Sequence, residues 1–240
     1  LYDDTAQVYI IRSEQDAFYV LEKALSGELE DIDSAYTRFS GWPKINIYLP
    51  NTPIEGSITP TMMEAFLDLQ RAVYRTHSLI AYDSADLRNM TTLEKDRLEF
   101  RVKVSEGSSD YLAELAKSSQ AIVSSLVGKM SSTEVMVTTL SCALLVTGSV
   151  AWSKWLSSKI TLRKAELDAK AAAGKDQAAS EESRRQLAER ELTLVHDTHR
   201  FEILAQACRR IPVLDDVEEI ADASRSSIIK AVSEEAGGKV

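Results

Sequence analysis

VMVTTLSCALLVTGSVAW, residues 135–152, contains no charged side chain, in a 240-residue chain of which 27% is charged. Whether this stretch crosses a bilayer or lies inside a folded core decides the architecture. The uncharged run extends from Val135 to Ser153, between Glu134 and Lys154. A helix needs roughly 20 apolar residues to span the hydrocarbon layer, so the length is just sufficient. At its C-terminal end stand Trp152 and Trp155, with Lys154, Lys159, Arg163 and Lys164 close behind. Indoles at a headgroup layer and cations on the cytoplasmic side are the flanks of a membrane span. Within the stretch, Thr139, Ala143, Thr147 and Ala151 recur every four residues and form a ridge of small side chains. Such a ridge lets a neighbouring helix approach closely, in a bilayer or at the centre of a bundle. The flanks favour the membrane; a helix buried in a helical assembly is the alternative.

Charge divides the chain around this stretch. Residues 1–110 carry 11 basic and 19 acidic side chains, 111–155 carry 3 and 2, and 156–240 carry 14 and 16. The formal net charge of −9 argues against non-specific coating of nucleic acid, which needs an excess of cations facing phosphates. Cys142 and Cys208 lie far apart, with neither zinc-site nor disulfide-framework spacing, and read as reduced thiols. No basic-then-apolar leader opens the sequence as given, so a cytoplasmic start is expected.

The first part mixes strand and helix signals. AQVYII (6–11) reads as a strand, and Ser13 caps a helix over 14–26 that stops at Gly27. KINIYLP (44–50) is a second strand. Residues 59–82 give the strongest helix, with Thr59 at the cap, Pro60 in the first turn, and Met63, Phe66, Leu67, Val73 and Tyr74 as its apolar positions. LEFRVKV (98–104) alternates as a strand with one wet face. These elements predict a small α/β domain over 1–107. From Ser109 onward the strong signals are helical: an amphipathic segment 112–128 with Ser118, Ser124 and Ser125 opposite its apolar face, the uncharged stretch, a charged helical run to about 210, and a last helix over about 215–235 after Pro212. The expected fold class is α+β and mostly α: a small N-terminal α/β domain, a membrane-type helix or hairpin over 109–156, and a charged C-terminal helical oligomerisation tail over 157–240.

Topology adds a condition. Cations after the span place the tail in the cytoplasm, and a cytoplasmic start places the first domain there too, which one crossing does not allow. Either the first domain is exported, or 112–128 makes a second pass as a hairpin with its serines toward water, or that segment lies on the membrane surface.

No glycine-rich phosphate loop, no Gly-x-Ser-x-Gly elbow and no nucleophile–base pairing of recognisable spacing is present, so no enzyme and no cofactor are expected. His196 and His199, with Glu202 nearby, have too little fixed spacing to define a metal site, and none is expected. Arg71 and Arg75 stand one turn apart on the 59–82 helix, and Arg97, Arg101 and Lys103 lie on or beside the next strand. Brought together, these five would grip phosphates, with arginine as the bidentate contact. Intrahelical pairing among Glu64, Asp68, Arg71 and Arg75 is the competing account.

The order of parts, with ITPTMMEAFLDLQRAVYR (58–75) leading through SEGSSD (105–110) to the span, resembles the membrane effectors of bacterial anti-phage systems. The layout is most similar to the DNA-gated channel subunit of Hailong-type defence. The resemblance implies a homo-oligomeric pore or ion channel of the bacterial inner membrane with its soluble parts in the cytoplasm. Its first domain would sense a nucleotide or short DNA oligomer made by a partner enzyme, and its membrane part would act as a toxin by depolarising the cell.

Overall fold

The computed structural model describes residues 2–3, 8–29, 37–48, 58–104, 110–148 and 198–235. The protein is mostly helical with a small N-terminal α/β part. Its chain divides into two compact units, 1–147 with 206–240, and 148–205. The boundary expected near 107 falls inside the first. Of the second unit the described residues are Gly148 and 198–205, the latter helical in a helix that ends at 210.

Strands β1 (Tyr2–Asp3), β2 (Val8–Ile11) and β3 (Thr37–Phe39) form a sheet in that order, β1–β2 antiparallel and β2–β3 parallel. Parallel neighbours need a crossover, and helix α1 (Glu14–Ser26) supplies it. The Asp16 amide donates to Ser13 Oγ at 3.1 Å to start this helix. Gly27, at φ 80°, ends it in the left-handed conformation that costs glycine little. A second, antiparallel sheet is ordered β4 (Lys44–Tyr48), β6 (Asp110–Glu114), β5 (Arg101–Val104).

Helix α2 (Pro60–Tyr82) begins at the Thr59 cap, as the sequence predicts. Its buried face is carried by Met62, Ala65, Phe66, Leu69, Ala72, Val73 and Thr76. Met63 and Leu67, assigned to that face from spacing, are 47% and 56% exposed. The apolar stripe is centred one position away because small Ala65 and Ala72 take part in it. The expected strand over 98–104 is shorter at its start: Leu98 ends helix α3 (Thr92–Leu98). Thr91 and Glu94 close a capping box there, with the Thr91 amide donating to Glu94 at 2.7 Å and the Glu94 amide to Thr91 Oγ1 at 3.3 Å.

The expectation of helix from 109 onward is corrected as well, since 110–114 is the central strand of the second sheet. Helix α4 is confined to Ala116–Leu126. Ser118 and Ser119 are buried, and the Ser118 hydroxyl donates to the Leu98 carbonyl at 2.8 Å, so the serines do not form one water-facing stripe. Gly128, at φ 85°, turns the chain into α5 (Ser132–Thr147). Helix α6 covers 198–210, and Pro212 separates it from α7 (Val213–Glu235). Helices α2 and α7 run antiparallel, joined by Thr59 with Glu235 and by Ser227 Oγ donating to Asp68 at 2.7 Å.

Within the first unit α5 packs against α1, α2, α4 and α7. No helix among the described residues is long and apolar enough to cross a membrane. The described part of the uncharged stretch ends at Gly148. Ala151, Trp152, Lys154, Trp155 and Lys159 lie outside the described residues, as does the charged run to residue 197.

Candidate functional site

Every residue from Val135 to Val146 is buried, so α5 is covered on all its faces. A helix apolar all round belongs in a core or in lipid. Two of its hydroxyls are satisfied within the helix, Thr139 Oγ1 donating to the Val135 carbonyl at 2.8 Å and Thr147 Oγ1 to the Ala143 carbonyl at 2.7 Å, whereas Ser141 Oγ has no hydrogen-bond partner among the described residues. Of the expected ridge, Thr139, Ala143 and Thr147 fall on α5 and Ala151 lies outside the described residues. Thr139 and Ala143 are buried, Thr147 is half-buried, and the ridge faces the chain's own helices. Ala143 and Thr147 line a small cavity with Val73, Thr76, Ser118 and Ile122 of α2 and α4.

Both ends of α5 are held by polar groups. At the start, the Ser131 amide donates to the Glu134 carboxylate at 2.9 Å and the Glu134 amide returns to Ser131 Oγ at 3.4 Å, a second capping box. The Ser131 hydroxyl, donating to the carboxylate at 2.8 Å, and then the Ser131 amide hold the Glu134 carboxyl below its usual range. At the far end, Arg225 of α7 is 5% exposed and its guanidinium donates to the Leu145 carbonyl and to Asp222. The last carbonyls of a helix have no intrahelical partner, and a cation there complements the helix dipole. Burial pulls the Arg225 pKa down to about 10, which leaves it charged at neutral pH. Sequence reasoning passed over Arg225, whose neighbours Ala223, Ser224 and Ser226 give it no motif.

A second cluster fastens the turn before α5. Lys129 Nζ donates to the Ala81 carbonyl at 2.8 Å, in the last turn of α2, and lies 5.8 Å from the Tyr82 ring centre. The Tyr82 hydroxyl donates to Glu94, whose carboxylate also accepts from the Thr91 amide and hydroxyl. The Tyr82 bond first, then those from the Thr91 amide and hydroxyl, hold Glu94 down at about 2. His77 is 3% exposed, with Nε2 3.5 Å from Glu94. That is too long for a hydrogen bond, and neither ring nitrogen has a hydrogen-bond partner among the described residues. Burial lowers the His77 pKa, the Glu94 carboxylate opposes that shift, and Lys129 adds to it.

The five expected phosphate contacts stand on adjacent elements, all exposed. Gln70 of α2 joins those elements, its amide donating to the Leu98 carbonyl at 3.1 Å while its oxygen accepts from the Phe100 amide at 3.1 Å. Arg71 pairs with Asp68 at 2.7 Å and Lys103 with Glu114 at 2.6 Å. Arg75, Arg97 and Arg101 have no ion-pair partner among the described residues. The surface between them is of mixed sign: Tyr74 is raised by burial, then by Glu99 and Asp96. His199 is exposed, His196 lies outside the described residues, and no metal-binding group of side chains occurs among those described.

No family model matches the chain, and neither a curated protein nor a solved structure is found similar to it.

Proposed function

We propose that the protein is a ligand-controlled, oligomeric membrane effector that forms a pore or channel, with α5 and the residues after it as the membrane-entering segment. The observation that carries this reading is the uncharged run Val135–Ser153, close to the length a bilayer needs, whose first twelve residues are buried among α1, α2, α4 and α7. Such a segment exchanges one apolar environment for another at little cost in transfer free energy. Insertion requires the helices packed on it, α1, α2, α4 and α7, to move off it. A ligand drives that movement only through a higher affinity for the opened state.

The anion set Arg71, Arg75, Arg97, Arg101 and Lys103 is the proposed ligand surface, with a nucleotide or short DNA oligomer as the ligand and bacterial anti-phage defence as the setting. Arg75, Arg97 and Arg101 are its available cations. Purified protein incubated with phosphatidylglycerol-containing vesicles, with and without a short DNA oligomer, tests the proposal through dye release. Release that depends on the oligomer, and is lost in the Arg75→Glu, Arg101→Glu double variant, supports it. Intact vesicles and no membrane-bound protein under every condition overturn it.

A second reading is favoured by one specific observation, the complete cover of α5 with Arg225 on its last turn. In that reading the chain is a non-catalytic assembly or adaptor protein whose uncharged helix never leaves the core. The vesicle experiment separates the two.

A further inference from the structure

We infer that His77, Glu94, Tyr82 and Lys129 form an acid-sensitive catch that fastens the α4–α5 turn to the end of α2 and releases it when His77 takes up a proton. The inference rests on the proposed function only for its purpose, since opening of the turn is measurable without a membrane.

The geometry concentrates three charged or chargeable groups from three elements on one aromatic ring. His77 and Tyr82 belong to α2, their rings edge to face with centres 6.5 Å apart. Glu94 comes from α3 and Lys129 from the turn. Asp86, which caps the 3₁₀ turn Leu87–Asn89 that follows α2, and Arg88 within that turn are occupied with each other at 2.5 Å. Burial disfavours the His77 cation, since only 3% of the residue meets solvent, and at 3.5 Å the Glu94 carboxylate stands too far from Nε2 to take its proton in a hydrogen bond without moving.

The carboxylate in reach is Glu94, already accepting from Tyr82 and from both donors of Thr91. Turning it toward the imidazolium breaks the α3 capping box and frees the Tyr82 hydroxyl. The remaining neighbour, Lys129, carries the same sign as the new charge. The ammonium leaves the Ala81 carbonyl and the Tyr82 face, and residues 127–131 come away from α2. Because α5 begins at Ser132, the turn that frees itself is the one that leads into the uncharged helix.

Hydrogen–deuterium exchange of the intact protein, corrected for intrinsic rates, tests this at about pH 7.5 and about pH 5.5, on either side of the histidine range. The wild type is expected to lose protection at residues 126–134 by about tenfold at the lower pH, while α7 keeps its own; tenfold corresponds to one unit of differential protonation. His77→Gln, neutral at both values, is expected to show no such difference. Lys129→Met gives a second route should His77→Gln fail to fold: its turn exchanges rapidly already at about pH 7.5, and the His77 pKa read by NMR rises because the like charge is gone. Equal protection of the wild-type turn at both pH values overturns the catch, as does acid opening that persists in His77→Gln. Opening on schedule without vesicle binding would leave the catch standing and count against the effector reading. Vesicle leakage at neutral pH with a closed turn would do the reverse.

Discussion

At the scale of single residues, charge buried against α5 has the largest expected consequences. Arg225→Ala leaves the Leu145 carbonyl without its donor in a buried setting, and the loss is expected to be about 1–3 kcal/mol in urea unfolding. Arg225→Lys is expected to recover only part of this, because one ammonium does not reproduce two guanidinium contacts. The acid limb of the stability curve should fall in two steps. His77 has a folded pKa below its free value of 6.5, so the unfolded chain binds the extra proton and stability declines as pH falls from about 6.5. Glu94 is held at about 2 against a free value of 4.5, so its contribution is complete above 4.5 and disappears as pH falls toward 2. His77→Gln should remove the first step alone, which circular dichroism melts across pH would record. Little of this was legible beforehand. His77 stands alone in the sequence, and its importance comes from Glu94 and Lys129, 17 and 52 positions away.

Among the elements, those with local start and stop chemistry were the ones sequence reading located well. Ser13 and Gly27 delimit α1, Thr59 and Pro60 open α2, and Pro212 separates α6 from α7. The misreadings have a common cause in pairing that depends on distant strands. Residues 110–114 form a strand because β4 and β5 flank them on both sides, information absent from a local window. Ser118 and Ser119 are buried because the Leu98 carbonyl and the α2–α4 contact need them there. Of the candidate site, the uncharged helix and its small ridge were evident from spacing, whereas the ridge's partner was not. Since Thr139 is 1% exposed and packed within the chain, Thr139→Leu should overfill the contact and cost about 1–3 kcal/mol. Leu67→Ala, on the exposed edge of α2, should change stability by no more than about 0.5 kcal/mol. Thermal melts of the two variants, compared with wild type, distinguish an intrachain ridge from one reserved for another subunit.

For the whole molecule, the antiparallel pair of α2 and α7 is the closure over α5. Asp68→Cys with Ser227→Cys, at positions whose side chains meet at 2.7 Å, should give a cross-link that joins the two helices once oxidised. The oxidised variant should keep the wild-type circular dichroism spectrum but release no dye from vesicles under any condition that activates the reduced form. Release from the oxidised protein would show that α5 leaves without moving α7.

The distance along the chain between Leu145 and Arg225, 80 residues, has a consequence during synthesis. At roughly 5–20 residues per second, about 4–16 s pass between the appearance of the uncharged helix and that of the arginine that caps it. For that interval α5 is a nascent apolar segment without its final cover, open to a targeting factor, a chaperone or a translocon. Which environment receives it is then a race between recognition and translation, and slowing or speeding elongation over residues 150–225 should change how the protein partitions between membrane and cytosol without changing a single side chain.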